Sequence, residues 1–248
     1  MITIKSMEEI QLMREAGKLL AACHQEIAKI MRPGITGLEI DKFVEEYLAK
    51  HGATPEQKGF HGYPFATCAS VNDVICHGFP NNNPFNDGDI VTIDMVVNLN
   101  GWLADSAWSY AVGTISPEAQ RLLDVTKASM FKGIEQAVEG NRIGDISHAI
   151  QVYAEAEGFS VVREFIGHGI GQQMHEEPQV PHYGPPGKGP RLKEGMVITI
   201  EPMLNIGGYR SKTDADGWTA RTLDGSLSAQ YEHTIAITSE GPMILTQL

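Results

Sequence analysis

The chain writes one eight-residue phrase twice. Residues 87–94 read Asp-Gly-Asp-Ile-Val-Thr-Ile-Asp, and residues 194–201 read Glu-Gly-Met-Val-Ile-Thr-Ile-Glu. In each copy an acid and a glycine make a turn, an apolar run follows with a shared Thr-Ile, and a carboxylate, Asp94 or Glu201, ends it. The apolar run predicts a buried strand, and a buried strand should not finish on a charge unless something binds it. Two such strands from a duplicated chain would bring their acids together, and converging carboxylates require metal.

The duplication reaches beyond the phrase. Ser6-Met7-Glu8-Glu9 is a capping box, and behind it Leu12, Met13, Ala16, Leu19, Leu20, Cys23, Ile27 and Ile30 recur at helical spacing until Pro33-Gly34. Thr36 and Glu39 open a second helix, through Phe43, Val44 and Tyr47 to a stop at Gly52. In the second half Ser116-Pro117-Glu118 starts a helix predicted to continue through Leu122, Val125, Phe131 and Ile134 to Gly140. Another follows with Ile146, Ile150 and Tyr153 and stops at Gly158. A shift of 106 residues carries Gly34 to Gly140, Ile40 to Ile146, Tyr47 to Tyr153 and Gly52 to Gly158, and the strand phrase repeats at 107. Each half therefore reads helix, helix, glycine-rich stretch, strands. The expectation is one α/β domain over residues 1–248, with pseudo-symmetric halves of about 1–112 and 113–248 whose strands meet in the middle.

A formal net charge of −12 argues against a nucleic-acid binder, which carries a basic footprint. The three cysteines, Cys23, Cys68 and Cys76, are odd in number and lack CxxC spacing, so neither a disulfide framework nor a cysteine zinc site is indicated. No apolar signal region and no run of about 18 apolar residues is present, and a reducing cytoplasm is the natural compartment.

Asn100-Gly101 between apolar runs predicts a hairpin. With a two-residue turn there, Asp94 lies opposite Ala107 and Asp105 opposite Val96; with a four-residue loop, Asp94 faces Asp105. Both put the two carboxylates on one face, whereas a three-residue loop would separate them. In the second half Glu201 corresponds to Asp94, and Glu232, in Gln230-Tyr231-Glu232-His233-Thr234, is expected to correspond to Asp105. Four carboxylates at one seam need counter-charge, which two divalent cations supply. His168, flanked by Gly167 and Gly169, is a candidate fifth ligand. A second histidine, His175, follows it, and His77 sits in a comparable glycine-bounded context, Cys76-His77-Gly78.

These residues, in this order, resemble the type I methionine aminopeptidases of the pita-bread metallopeptidase family, in a minimal bacterial form. The match runs through Val71-Asn72-Asp73, His77-Gly78-Phe79-Pro80, Asp87-Gly88-Asp89-Ile90, Asp105-Ser106, Gly167-His168-Gly169-Ile170-Gly171, His175-Glu176-Glu177-Pro178, Glu201-Pro202-Met203 and Ser226 to Thr234. The resemblance implies a pita-bread α/β fold, with a central antiparallel β-sheet covered by helices. It implies metal ligands at Asp94, Asp105, His168, Glu201 and Glu232, with Asp105 and Glu232 bridging two ions of cobalt, iron(II), manganese or zinc. A monovalent cation near Asn72, Val74 and Ser228 is implied on weaker grounds.

The implied reaction is removal of the N-terminal methionine of nascent polypeptides near the ribosome, preferably before a small residue, by a hydroxide generated between two metals. Glu201 would relay a proton, His175 would meet the carbonyl oxygen and His77 the scissile amide nitrogen. Phe60, Tyr63, Cys68, Met174, Met203 and Trp218 are candidates for an apolar methionine pocket. Phe60 and Met174 depart from the Tyr and Phe of bacterial relatives, which bears on fine specificity. A monomer with no membrane or nucleic-acid partner is implied.

Two rival readings fit the chain less well. Prolidase-type relatives carry an extra amino-terminal domain, for which a first helix beginning at about residue 6 leaves no expectation. A non-catalytic relative would show eroded ligands, and all five are present. Only thirty residues separate Glu201 from Glu232, too few for the insertion of type II enzymes.

Overall fold

The helices start where the capping residues stand. The computed structural model describes residues 1–248. In α1 (Met7–Ile30) the Ser6 hydroxyl accepts from the Glu9 N–H while the Glu9 carboxylate accepts from the Ser6 N–H; Thr36 and Glu39 repeat this at α2 (Gly37–Lys50). Ser116 caps α3 (Pro117–Glu135), and the Asp145 carboxylate accepts from the Arg142 N–H at the start of α4 (Ile143–Ala156). The expected run of α3 to Gly140 is too long. The helix stops at Glu135 because the Gln136 N–H turns back to the carbonyls of Gly133 and Ile134, and Ala137 enters the core.

Gly140 belongs to the next turn, and its geometry reveals the repeat. Gly34 and Gly140 have φ of 94° and 91°, conformations that favour glycine. The Gly34 N–H donates to Phe85 O at 2.8 Å and the Gly140 N–H to Leu192 O at 3.0 Å, and Phe85 and Leu192 are themselves one repeat of 107 apart. The two phrase turns match as well: the Gly88 N–H donates to Val112 O and the Gly195 N–H to Ile237 O.

In the first half Ile90–Leu99 pairs antiparallel with Trp102–Ala111 across Asn100-Gly101, whose φ values of 54° and 86° suit a two-residue hairpin turn. Cys68–Val71 pairs along the other side of Ile90–Leu99, with Cys68 beside Asp94. In the second half Val197–Ile200 lies between His233–Thr238 and Gly167–Gly169. Past Glu201 the same hairpin continues as Met203–Asn205 against Ser228–Gln230.

The halves join strand to strand. Ala107 bridges Glu232, the Ser109 hydroxyl donates to Gln230 O at 2.8 Å, and the Thr234 hydroxyl donates to Asp105 O at 2.8 Å. Helices α1 and α2 cover the first sheet through Leu20, Ile27, Ile40 and Val44 against Val91, Ile93 and Met95. Helices α3 and α4 cover the second through Met130, Ile146 and Ile150 against Ile198, Ile200 and Ile235. Alternation then turns Asp94 and Val96 away from the helices, into a cavity at the seam. No helix is long and apolar enough to cross a membrane.

Helix α1 also presses on the last residues of the chain. A Cβ on Gly17 would lie 2.1 Å from Leu245 O. Gly17→Ala is expected to cost about 1–3 kcal/mol, because the obstacle is backbone rather than a flexible side chain. Thermal unfolding measures it, and an unchanged Tm would mean that the terminal segment swings aside freely.

Candidate metal centre

Strand register explains how the acids converge. Asp94 pairs with Ala107 and Val96 with Asp105, as the two-residue turn requires, so both carboxylates project from one face. On the other side His233 pairs with Ile200 and Gln230 with Met203, which sets Glu232 across from Glu201. Glu232 is therefore the counterpart of Ala107, not of Asp105 as expected; the residue in the place of Asp105 is Gln230. Because side chains alternate with a period of two, the slip of two positions leaves Glu232 on the cavity face.

All of Asp94, Asp105, His168, Glu201 and Glu232 line one cavity of about 830 Å³. Ligand atoms of Asp105, His168 and Glu232 lie within 4.8 Å of one another. His168 Nε2 is 3.6 Å from Asp105 Oδ2 and 3.6 Å from Glu201 Oε1. The His168 Nδ1 faces Gly169 O at 2.8 Å, which directs Nε2 into the cavity. Glu201 is held by the Thr199 hydroxyl, donating at 2.7 Å to Oε1, and by the Gln230 amide at 3.4 Å from Oε2.

The electrostatics of the cage by itself are unfavourable. Burial, and then repulsion from Asp105 and Glu201, push Asp94 and Glu232 well above the usual carboxylate range. Burial lifts Glu201 to about 7 against the pull of His168. Burial alone would lower His168, yet Asp105 and Glu201 raise it to about 9. Asp105 Oδ1 and Glu232 Oε1 are buried with no hydrogen-bond partner. Oxygen acceptors without donors, next to an imidazole nitrogen aimed inward, fit a divalent cation.

The other expected residues fall around the same cavity. His77 (φ 57°) meets Phe165 and Trp218 edge-on at centroid distances of 5.4 and 6.4 Å, and burial lowers its pKa. His175 stacks edge-on to His168 at 4.4 Å and to Phe60 at 5.3 Å; burial, then His168, lower it to about 4. Tyr63 is buried, turns its hydroxyl to Thr67 O at 2.8 Å and offers its ring edge to Trp218 at 5.1 Å. Cys68, Met174 and Met203 are buried in the lining. Trp218 is carried by a turn in which the Asp216 carboxylate accepts from the N–H groups of Trp218 and Thr219. Away from the cavity floor, the Ser228 N–H donates to Asn72 O at 2.9 Å, and the Ser228 hydroxyl is buried without a partner.

Sequence reasoning overlooked Gln57, Thr199 and Gln230. Gln57 accepts from the Val96 N–H at 2.8 Å and donates to Asp94 O at 3.4 Å, which fixes the strand that carries Asp94. Thr199 was legible, since it stands two residues before Glu201 and alternation puts both on one face. No local pattern marks Gln57.

Comparison with known proteins agrees with this geometry. The model of metallopeptidase family M24 matches residues 11–239. A methionine aminopeptidase of Clostridium perfringens is 54% identical over 99% of this chain and 99% of its own length. Methionine aminopeptidase 1 of Bacillus subtilis is 51% identical over the whole of both chains. The crystal structure of a methionine aminopeptidase from Rickettsia prowazekii superposes with a TM-score of 0.98 at 43% identity, covering 99% of this chain and 100% of that one. With the fold, the cage of acids and the full-length likeness in agreement, the chain belongs to metallopeptidase family M24, among its methionine aminopeptidases.

Proposed function

We propose that this chain removes the N-terminal methionine from polypeptides, preferably before a small second residue, by hydrolysing the first peptide bond above the cage. The observation that carries this reading is the convergence of four carboxylates and His168 on one cavity, with Asp105 Oδ1 and Glu232 Oε1 left without donors. Asp94, Asp105, His168, Glu201 and Glu232 would hold two divalent ions. Manganese, iron(II), cobalt and zinc all suit this donor set. When bound, such ions acidify water and polarise a carbonyl.

The remaining steps belong to the chain. Glu201, oriented by Thr199 and Gln230, accepts a proton from water and returns it to the leaving amine. His175, neutral at physiological pH, donates to the carbonyl oxygen as negative charge develops there. His77 contacts the scissile amide. Phe60, Tyr63, Cys68, Met174, Met203 and Trp218 enclose the methionine side chain, and the Tyr63 hydroxyl, tied to Thr67, leaves that wall apolar. A monovalent cation held by main-chain oxygens near Asn72, Val74 and Ser228 is part of the same reading, supported by the unpartnered Ser228 hydroxyl. Action as a monomer on nascent chains is part of the same reading, and its placement in the reducing cytoplasm fits three unpaired cysteines.

Met-Ala-Ser assayed against Xaa-Pro peptides tests the proposal. Release of methionine from the first with no cleavage of the second is expected, and the reverse order would assign a prolidase. His175→Ala is expected to lower kcat about 100-fold or more, the usual cost of a lost oxyanion donor, with KM little changed. A rise in KM alone would make His175 a binding group.

A further inference from the structure

The amino-terminal strap contributes to the wall of the cavity. Met1 and Thr3 line it, and Lys5 is buried at 6% exposure. The Lys5 backbone N–H donates to Gly195 O at 2.8 Å, at the turn leading to Val197–Ile200 and so to Glu201. Its ammonium meets Glu176 Oε2 at 2.5 Å and also donates to the Thr3 hydroxyl, which in turn donates to the same carboxylate oxygen. The other oxygen, Glu176 Oε1, accepts from the Gln173 N–H at 3.4 Å. The two side chains are 5% and 11% exposed, whereas both members of every other lysine or arginine ion pair are at least 33% exposed.

A buried ion pair is costly to form, and an apolar pair would fill the same space at less cost. Its use here points to a demand for position. The surroundings leave no slack: a Cβ on Gly171 would lie 2.6 Å from Lys5 Cε, and one on Gly195 would lie 2.7 Å from Lys5 O. Glu176 is the residue directly after His175 and two after Met174, both of which line the cavity. Both lie in the loop 170–175, which joins Gly169 to its strand partner Glu176.

We propose that Lys5 is a positioning residue for the reaction, acting through Glu176 to hold the loop 170–175 so that His175 faces the scissile carbonyl. This rests on the role given above to His175. The latch ties that loop and the turn before Glu201 to one buried lysine, so that the N-terminal strap sets the relative placement of the two.

Lys5→Met and Glu176→Gln, each in otherwise intact chain loaded with manganese(II), test the latch. Each is expected to lower kcat on Met-Ala-Ser by about 10- to 100-fold, the cost of misplacing a catalytic group by about 1 Å. KM and the manganese affinity measured by calorimetry stay within about threefold of wild type. In a His175→Ala background either change should cost less than about twofold further, since the group it positions is gone. An equal loss in both backgrounds, a matching loss of metal affinity, or an unaltered kcat would overturn the proposal. If His175→Ala itself leaves kcat unaltered, the role of His175 fails separately. Amide exchange of residues 171–177 then decides the latch: exchange about tenfold faster in Glu176→Gln supports it, and unaltered exchange overturns it.

Discussion

Asp105→Ala lowers methionine release by about a thousandfold or more, whichever divalent metal is supplied, while the protein stays folded. The carboxylate sits at the middle of the cage, with Oδ2 at 3.6 Å from His168 Nε2 and Oδ1 buried without a partner. No neighbour can replace it. Its counterpart in the other half is Gln230, whose amide is already engaged with Glu201. The fold survives because the backbone of Asp105 is secured independently: its N–H donates to Thr234 Oγ1 at 3.0 Å and its carbonyl accepts from the same hydroxyl. In the metal-free protein the Asp105 carboxylate repels Asp94 and Glu232 but attracts His168, so the effects of its removal on stability oppose one another. Loss of activity in a folded protein, together with loss of the rise in Tm that divalent metal gives the wild type, is thus the signature of a ligand. A variant that keeps near-wild-type rates with metal content controlled would end the metal reading. One that unfolds would mean that the side chain serves the fold instead.

Divalent metal should stabilise the protein strongly at pH 7.5 and hardly at all at pH 4.5. Asp94 and Glu232 have folded pKa values well above those of the unfolded chain, pushed up first by burial and then by neighbouring carboxylates. The stability they lend is complete below about pH 4, where the unfolded chain too is protonated, and drains away as pH rises through their raised values. Glu201, lifted to about 7, and His168, raised to about 9, act in the same direction over the neutral range. A divalent cation takes the place of those protons. At a hundred times its dissociation constant it adds about 2.7 kcal/mol, or roughly 5–10 °C in Tm for a chain of this size. In acid, protons hold the ligands and the increment vanishes.

The quantity to follow is the difference in Tm with and without metal at each pH, because buried neutral histidines such as His24 and His182, both lowered to about 3 by burial, destabilise the fold in acid irrespective of metal. Equal increments at both pH values would rule out ionisation-linked binding at this cage.

Much of this was legible in the chain because it rests on local chemistry. Capping boxes placed two helix starts and Ser116-Pro117 a third, the Asn-Gly turn announced the first hairpin with Asp94 and Asp105 on one face, and glycines with positive φ marked both repeats. The end of α3 was not legible, since it depends on Ala137 finding a place in the core rather than on any stop residue. The pairing of Glu232 with Asp105 failed for a physical reason too. Sequence similarity between the halves fades after the phrase, and only the ladder shows that Ala107 and Gln230 fill the vacated counterpart positions. His168 is unmatched in the same way: Gly169 pairs with Ile198 where Val71 pairs with Val91, so Ser70 stands in its place and spends its hydroxyl on the Gly78 N–H.

The seam between Trp102–Ala111 and Ser228–Thr238 has a mechanical consequence. Each half brings two of the four acids, and the strands that carry Asp105 and Glu232 are the ones that touch across the join. A cation lodged there is a rivet through two plates. Parting the plates must expel it, so a bound cation should slow the opening of the whole molecule, and its loss should quicken unfolding without altering a single contact along the seam.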